Sequence, residues 1–154
     1  MLVGIGYLVF SDQSNDPNRP VATETLPPKV YQAPGIIWNN TGRNGSAPFE
    51  IITKTGADYY IKLVDYNSGT ERMGIFVKGG QPLEVEVPPG SYKIRYAYGE
   101  AWRGFPTLFG PGRHTSYQQS SARFDFSTYG GYTVELIRQS GGNMPTRRID
   151  AGQF

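Results

Sequence analysis

From Phe49 onward, apolar and polar residues alternate in short runs, and Gly or Pro closes most of them. A period of two sends successive side chains to opposite faces, which suits a half-buried strand and defeats an amphipathic helix. Tyr59, Ile61 and Leu63 share one face of their run, with Tyr60, Lys62 and Val64 on the other. Met73, Ile75 and Val77 alternate with Gly74, Phe76 and Lys78, and Leu83, Val85 and Val87 alternate with Glu84 and Glu86. Tyr92, Ile94, Tyr96 and Tyr98 follow, with Lys93 and Arg95 opposite. Shorter runs cover 49–54, 124–126, 132–138 and 147–149. Asn67-Ser68-Gly69-Thr70, Gly79-Gly80 and Gly141-Gly142-Asn143 read as turns. Pro88-Pro89-Gly90 reads as a type II turn joining runs 83–87 and 92–98 into a hairpin. Seven to eight short strands at this spacing predict an all-β fold, an antiparallel β-sandwich of the immunoglobulin or transthyretin kind. One face of each sheet is expected to be wet.

Composition agrees where it bears on this reading. The 20 Gly and 12 Pro leave little room for a helical bundle, and 14% aromatic residues exceed what a disordered chain carries. Cys is absent, which excludes a disulfide scaffold, a thiolate metal site and thiol catalysis.

The N-terminal part differs. Residues 11–48 hold half of the prolines among Asn, Ser, Gly and Thr, and read as an extended Pro-rich linker. Ile36, Ile37 and Trp38 are apolar enough to pack against the domain that follows, 49–154. Residues 1–10 carry no charge. They are too short to span a membrane and lack the basic start of a signal peptide. Three readings stand for them: the stub of a membrane anchor, a first strand, or an apolar arm that docks on a partner.

Charge is asymmetric. Residues 1–90 sum to −2 and residues 91–154 to +4, and all the later cations except Lys93 are Arg. A net charge of +2 does not call for nucleic acid. Arg does offer a planar fork for carboxylates, phosphates and aromatic faces.

The chemistry of catalysis is sparse. His114 is the only His, and no Gly-x-Ser-x-Gly elbow activates the nearby Ser116, Ser120 or Ser121. No cofactor is implied: zinc lacks ligands, Asp58, Asp65 and Glu71 are too scattered for a calcium loop, and Gly104 to Gly112 lacks the Lys and helix of a phosphate loop. Glu84 and Glu86, about 7 Å apart at strand spacing, match a glycosidase carboxylate pair, yet a solvated strand face predicts the same residues. Lys54, Lys62, Lys78 and Lys93 are the candidates for an isopeptide bond, but sit on apparent outer faces or strand ends.

The most suggestive constellation is the long loop 100–121. Trp102, Arg103, Phe105, Arg113, His114 and Tyr117 are its candidate binding residues. Trp, Tyr and Arg dominate interface hot spots, and loops on a rigid sandwich commonly carry recognition. The competing reading is that Trp102, Phe105 and Phe109 cap an open end of the core. Arg103 and Arg113 are least explained by a cap.

The run 83–95, an alternating strand, a Pro-Gly turn and then Tyr92, resembles the hairpin of transthyretin-like and carboxypeptidase-regulatory-like modules. More widely, 49–154 resembles the C-terminal domain of small uncharacterised bacterial envelope proteins, in which an N-terminal membrane segment precedes a β-sandwich head. The similarity lies in Tyr59 to Asp65, in Leu108-Phe109-Gly110-Pro111-Gly112 and in Gly131-Tyr132-Thr133-Val134. It implies an envelope location and transfers no activity or catalytic residue. The expectation is a non-catalytic, extracytoplasmic binding or scaffolding module, tethered to the membrane through residues 2–10, with a protein or glycan partner and no nucleic acid. Two alternatives stand beside it. One is a structural subunit of a surface or viral assembly, a homo-oligomer using the N-terminal arm. The other is a carbohydrate-binding module or enzyme using the aromatic loop 102–117.

Overall fold

A computed structural model describes residues 25–137 and 146–154. The readings of residues 1–10, of 11–24, of Arg138 and of the turn at Gly141-Gly142-Asn143 lie outside the described residues. Among the described residues ten strands follow one another: β1 Gly35–Asn39, β2 Ala47–Thr53, β3 Asp58–Asp65, β4 Glu71–Val77, β5 Leu83–Val87, β6 Gly90–Gly99, β7 Ser116–Ser120, β8 Phe124–Phe126, β9 Tyr132–Leu136 and β10 Thr146–Arg148. Short 3-10 turns lie at Gly112–His114 and Ala151–Gln153.

The strands form two sheets, as the alternation predicts. The larger has the order β1-β4-β3-β6-β7-β10, with β8 also on β6, and the smaller has the order β5-β2-β9. The inward residues of β3, β4 and β6 are those read from the sequence. Tyr59, Ile61, Leu63, Met73, Ile75, Ile94 and Tyr96 are all at most 3% exposed. They meet Phe49, Ile51, Val87, Val134 and Leu136 of the smaller sheet, with Phe124 and Phe126 of β8 filling the same layer. Phe49 and Phe126 pack edge to face at 5.2 Å, and Phe126 packs against Tyr132 at 4.9 Å.

The run 83–98 is not a hairpin. β5 pairs with β2, whereas β6 pairs with β3, β7 and β8, so the chain changes sheet at Pro88-Pro89-Gly90. Two successive prolines fix φ and remove two donors, which suits a corner between layers better than the tight turn of a two-residue hairpin. Tyr92 braces the corner, its hydroxyl donating to the carbonyl of Pro88 at 2.8 Å. The turn at Asn67 to Thr70 does close a hairpin, β3 to β4. There the Asp65 carboxylate accepts from the amides of Asn67 and Ser68 at 3.0 and 2.8 Å.

Three further expectations change. First, β2 and β9 run parallel, the exception to otherwise antiparallel pairing. Second, the folded unit begins inside the segment read as a linker. Gly35–Asn39 pairs with β4, and β2 starts at Ala47. Trp38 explains the first of these. Its indole lies across Gly74, where a Cβ would fall 2.1 Å from the indole nitrogen, and that nitrogen donates to the Tyr60 hydroxyl at 2.9 Å. Only glycine leaves room for this approach. Third, the outer face of the larger sheet is not wet. Tyr60, Phe76 and Ala97 lie there beneath Trp102, Leu108 and Phe109, with Ile37, Tyr117 and Phe154 around them. Ser116–Ser120, read as part of the loop, is a strand, because β6 offers Arg95 to Tyr98 as a free edge for it.

Candidate functional site

The site is set by where β6 ends. At Gly99 a Cβ would stand 2.4 Å from both Phe109 Cβ and the His114 carbonyl, so the absent side chain admits a loop that folds straight back over the sheet. The loop closes on itself. The amide of Arg103 donates to the carbonyl of Leu108, and the amide of Leu108 to that of Gly104, both at 2.7 Å. Leu108 has φ of 58°, a conformation that non-glycine residues rarely adopt. The Thr115 hydroxyl pins the far side, donating to the Gly110 carbonyl at 2.6 Å and accepting from the Phe109 amide at 3.2 Å.

Trp102 is the centre of this second core. It is 4% exposed, and its ring lies 5.1 Å from Phe76, 5.2 Å from Phe109 and 5.8 Å from Tyr60. Burying such a ring contributes about 3–5 kcal/mol. Trp102 is therefore not a ligand platform. It covers the face of the larger sheet, not an open end of the sandwich. Phe105 is 55% exposed and leans edge-on against Tyr60 and Trp102, each at 5.2 Å. Tyr117, on β7, is half-buried with its ring 5.2 Å from that of Phe154, and burial raises its phenol above the usual range. Burial also raises the Tyr60 phenol, against the opposing effect of the bond from Trp38.

The polar members of the six separate from the aromatic ones. Arg103, Arg113 and His114 all line one groove of about 960 Å³ at the end of the sandwich. Asp58, Lys78, Gly79 and Lys29 also line it. Asp58 is 8% exposed and accepts from the Gly79 amide at 3.0 Å and from Lys78 Nζ at 3.3 Å. Arg103 reaches back to the segment before β1, where its guanidinium donates to the Pro27 carbonyl. Its Nε is buried and has no acceptor. A few residues away the Val30 amide donates to the Trp102 carbonyl at 3.0 Å. These two bonds lay residues 27–30 along the groove as a strap.

Lys29, Tyr31, Asp58 and Lys78 were not among the expected site residues. Lys29 and Tyr31 lie in the segment read as a linker, Asp58 enters the sequence reading only for a calcium loop, and Lys78 only for an isopeptide bond. No local pattern marks any of them. Glu84 and Glu86 are exposed on β5, with Glu84 in register opposite Glu50. Lys62 is not at a solvated face. Its side chain is 13% exposed and bonds to Glu71 at 3.0 Å. Among the described residues no three His, Cys, Asp or Glu side chains gather as metal ligands, and no helix is long and apolar enough to cross a membrane.

No family model, curated protein or solved structure matches the chain.

Proposed function

We propose that the chain is a non-catalytic binding or scaffolding module of the cell envelope, extracytoplasmic and tethered through its apolar start, whose ligand lies in the groove beside Arg103. One observation carries the binding part. Arg103, Arg113 and His114 converge on a single groove, while Trp102 and Phe109 of the same loop are packed onto the sheet. The loop is thus a rigid mount for cations, which suits recognition by a preorganised surface. The envelope part rests on the resemblance and on residues 1–10.

Photo-crosslinking in intact envelopes tests the reading. A photoreactive residue at Tyr31, which is 86% exposed beside the groove, should give a discrete adduct. The same residue at Tyr129, fully exposed elsewhere, should not. Equal labelling at both positions, or none at either, overturns the binding reading. Recovery of the chain in the soluble cytoplasmic fraction overturns the location.

A further inference from the structure

We infer that the groove beside Arg103 takes an anionic saccharide, a sugar ring bearing a carboxylate or a phosphate. This deepens the binding reading and rests on it. The charge argument starts from Arg103. Its guanidinium is half-buried, gives one bond to the neutral Pro27 carbonyl, keeps Nε without an acceptor, and has no carboxylate partner among the described residues. A partly desolvated cation without a counter-ion is costly, and an anion in the groove offsets that cost. The groove's two carboxylates, Asp58 and Glu100, do not balance Lys29, Lys78, Arg103 and Arg113. Asp58 is already bonded to Lys78 and Gly79, which leaves Glu100 as the second carboxylate against Lys29 and Arg103.

The ring argument comes from the neighbouring cavity. A hollow of about 280 Å³ shares Lys29, Asp58, Lys78, Glu100 and Ala101 with the groove, so the two are neighbours. Tyr31 lines this second hollow at 86% exposure, a flat and nearly bare ring beside the cations. An exposed tyrosine offers a sugar's C–H face a stacking surface and its hydroxyls a polar tip. The exposed peptide at Gly56 adds to the lining and suits hydroxyl groups. Cation, stacking ring and open peptide surface together match a charged sugar better than a simple ion.

The test is an amide-shift titration of the full chain by NMR. The probes are trigalacturonate, neutral cellotriose, inorganic phosphate and a short oligo-aspartate peptide. Trigalacturonate should shift the amides of Gly79, Gly99 and Ala101, bind at least about tenfold more tightly than cellotriose, and weaken as salt rises. Lys29→Ala and Tyr31→Ala, both at exposed positions, should each weaken it about fivefold or more, and Arg103→Gln about tenfold or more. Unchanged affinity in all three variants overturns the site. Equal binding of cellotriose overturns the anionic part, and equal binding of phosphate overturns the saccharide part. Tighter binding of the peptide assigns the groove to acidic protein instead. If no probe shifts the groove while Tyr31 still crosslinks in envelopes, this inference fails and the binding reading survives. If both are silent, both fail.

Discussion

Lys62 Nζ lies 4.1 Å from the centre of the Phe154 ring while donating to the main-chain oxygen of the same residue at 2.8 Å. A third partner, Glu71, accepts from it at 3.0 Å. One ammonium thus holds the last residue of the sequence against the outer face of the larger sheet, where the Phe154 ring also meets Tyr60 at 5.6 Å. Cation–π contact and two charge-assisted bonds act on a side chain that is largely out of water. Phe154→Ala should lower stability by about 2 kcal/mol, and Lys62→Met, which keeps the stem, by about 1 kcal/mol. The double variant should lose less than the sum in a urea-denaturation cycle. Full additivity would mean that the contact contributes nothing.

Gly74 and Trp38 make a second pair open to test. Gly74→Ala places a methyl group 2.1 Å from the indole nitrogen, so the ring must leave and the bond to the Tyr60 hydroxyl must break. The expected cost is about 2–3 kcal/mol, with β1 loosened from β4. In a Trp38→Ala background the same substitution should cost under about 1 kcal/mol. Thermal denaturation of the four proteins decides it, and equal costs in both backgrounds would refute the steric account.

Alkaline pH should destabilise the fold through its tyrosines. Burial, first, and then the neighbouring Tyr98 and Tyr59 push Tyr96 up to about 12 from an ordinary 10.0. Burial also raises Tyr60, Tyr92 and Tyr117. Between these values the unfolded chain releases protons that the folded chain retains. The stabilisation is therefore complete below pH 10 and is lost as pH climbs through about 12. Tyr96 alone accounts for about 2 kcal/mol of that loss. Tyr96→Phe should flatten the alkaline limb of the stability curve. A limb of unchanged steepness would show that Tyr96 ionises as it does in the unfolded chain.

The strap at residues 27–30 is held by Arg103 and by the Val30 amide. Trypsin should cut slowly after Lys29 in the native chain and about tenfold faster in Arg103→Gln, because local opening is then less costly. Mass spectrometry of the early fragments reads this directly. An unchanged cleavage rate would mean that Arg103 does not hold the strap.

Much of the inner core was legible in the sequence, because alternation names the buried face of a strand. Tyr59, Ile61, Leu63, Met73, Ile75, Ile94 and Tyr96 all fall where that rule puts them. The rule is silent on pairing partners. Leu83 to Val87 and Tyr92 to Tyr98 alternate correctly and still belong to different sheets. It is silent as well on a face covered by a loop, so Tyr60 and Phe76 read as solvent-facing although each is at most 3% exposed. Of the candidate site, Arg103 and Arg113 were visible as charges that a hydrophobic cap does not need. Lys29, Tyr31 and Asp58 join them only through chain crossings of long sequence separation, which no local pattern records.

Tyr59 and Tyr60 are joined by one peptide bond and serve two different interiors, the first between the sheets and the second under the loop of Trp102. That single link removes the usual independence of a surface loop from its scaffold. The groove's cations stand on Trp102, Trp102 stands on Tyr60, and Tyr60 shares its backbone with the central layer. Change in the recognition loop is therefore answerable to the melting of the whole molecule. Variation in ligand preference has its freest ground at Lys29, on the strap, and at Tyr31 just after it, where a new side chain disturbs neither interior.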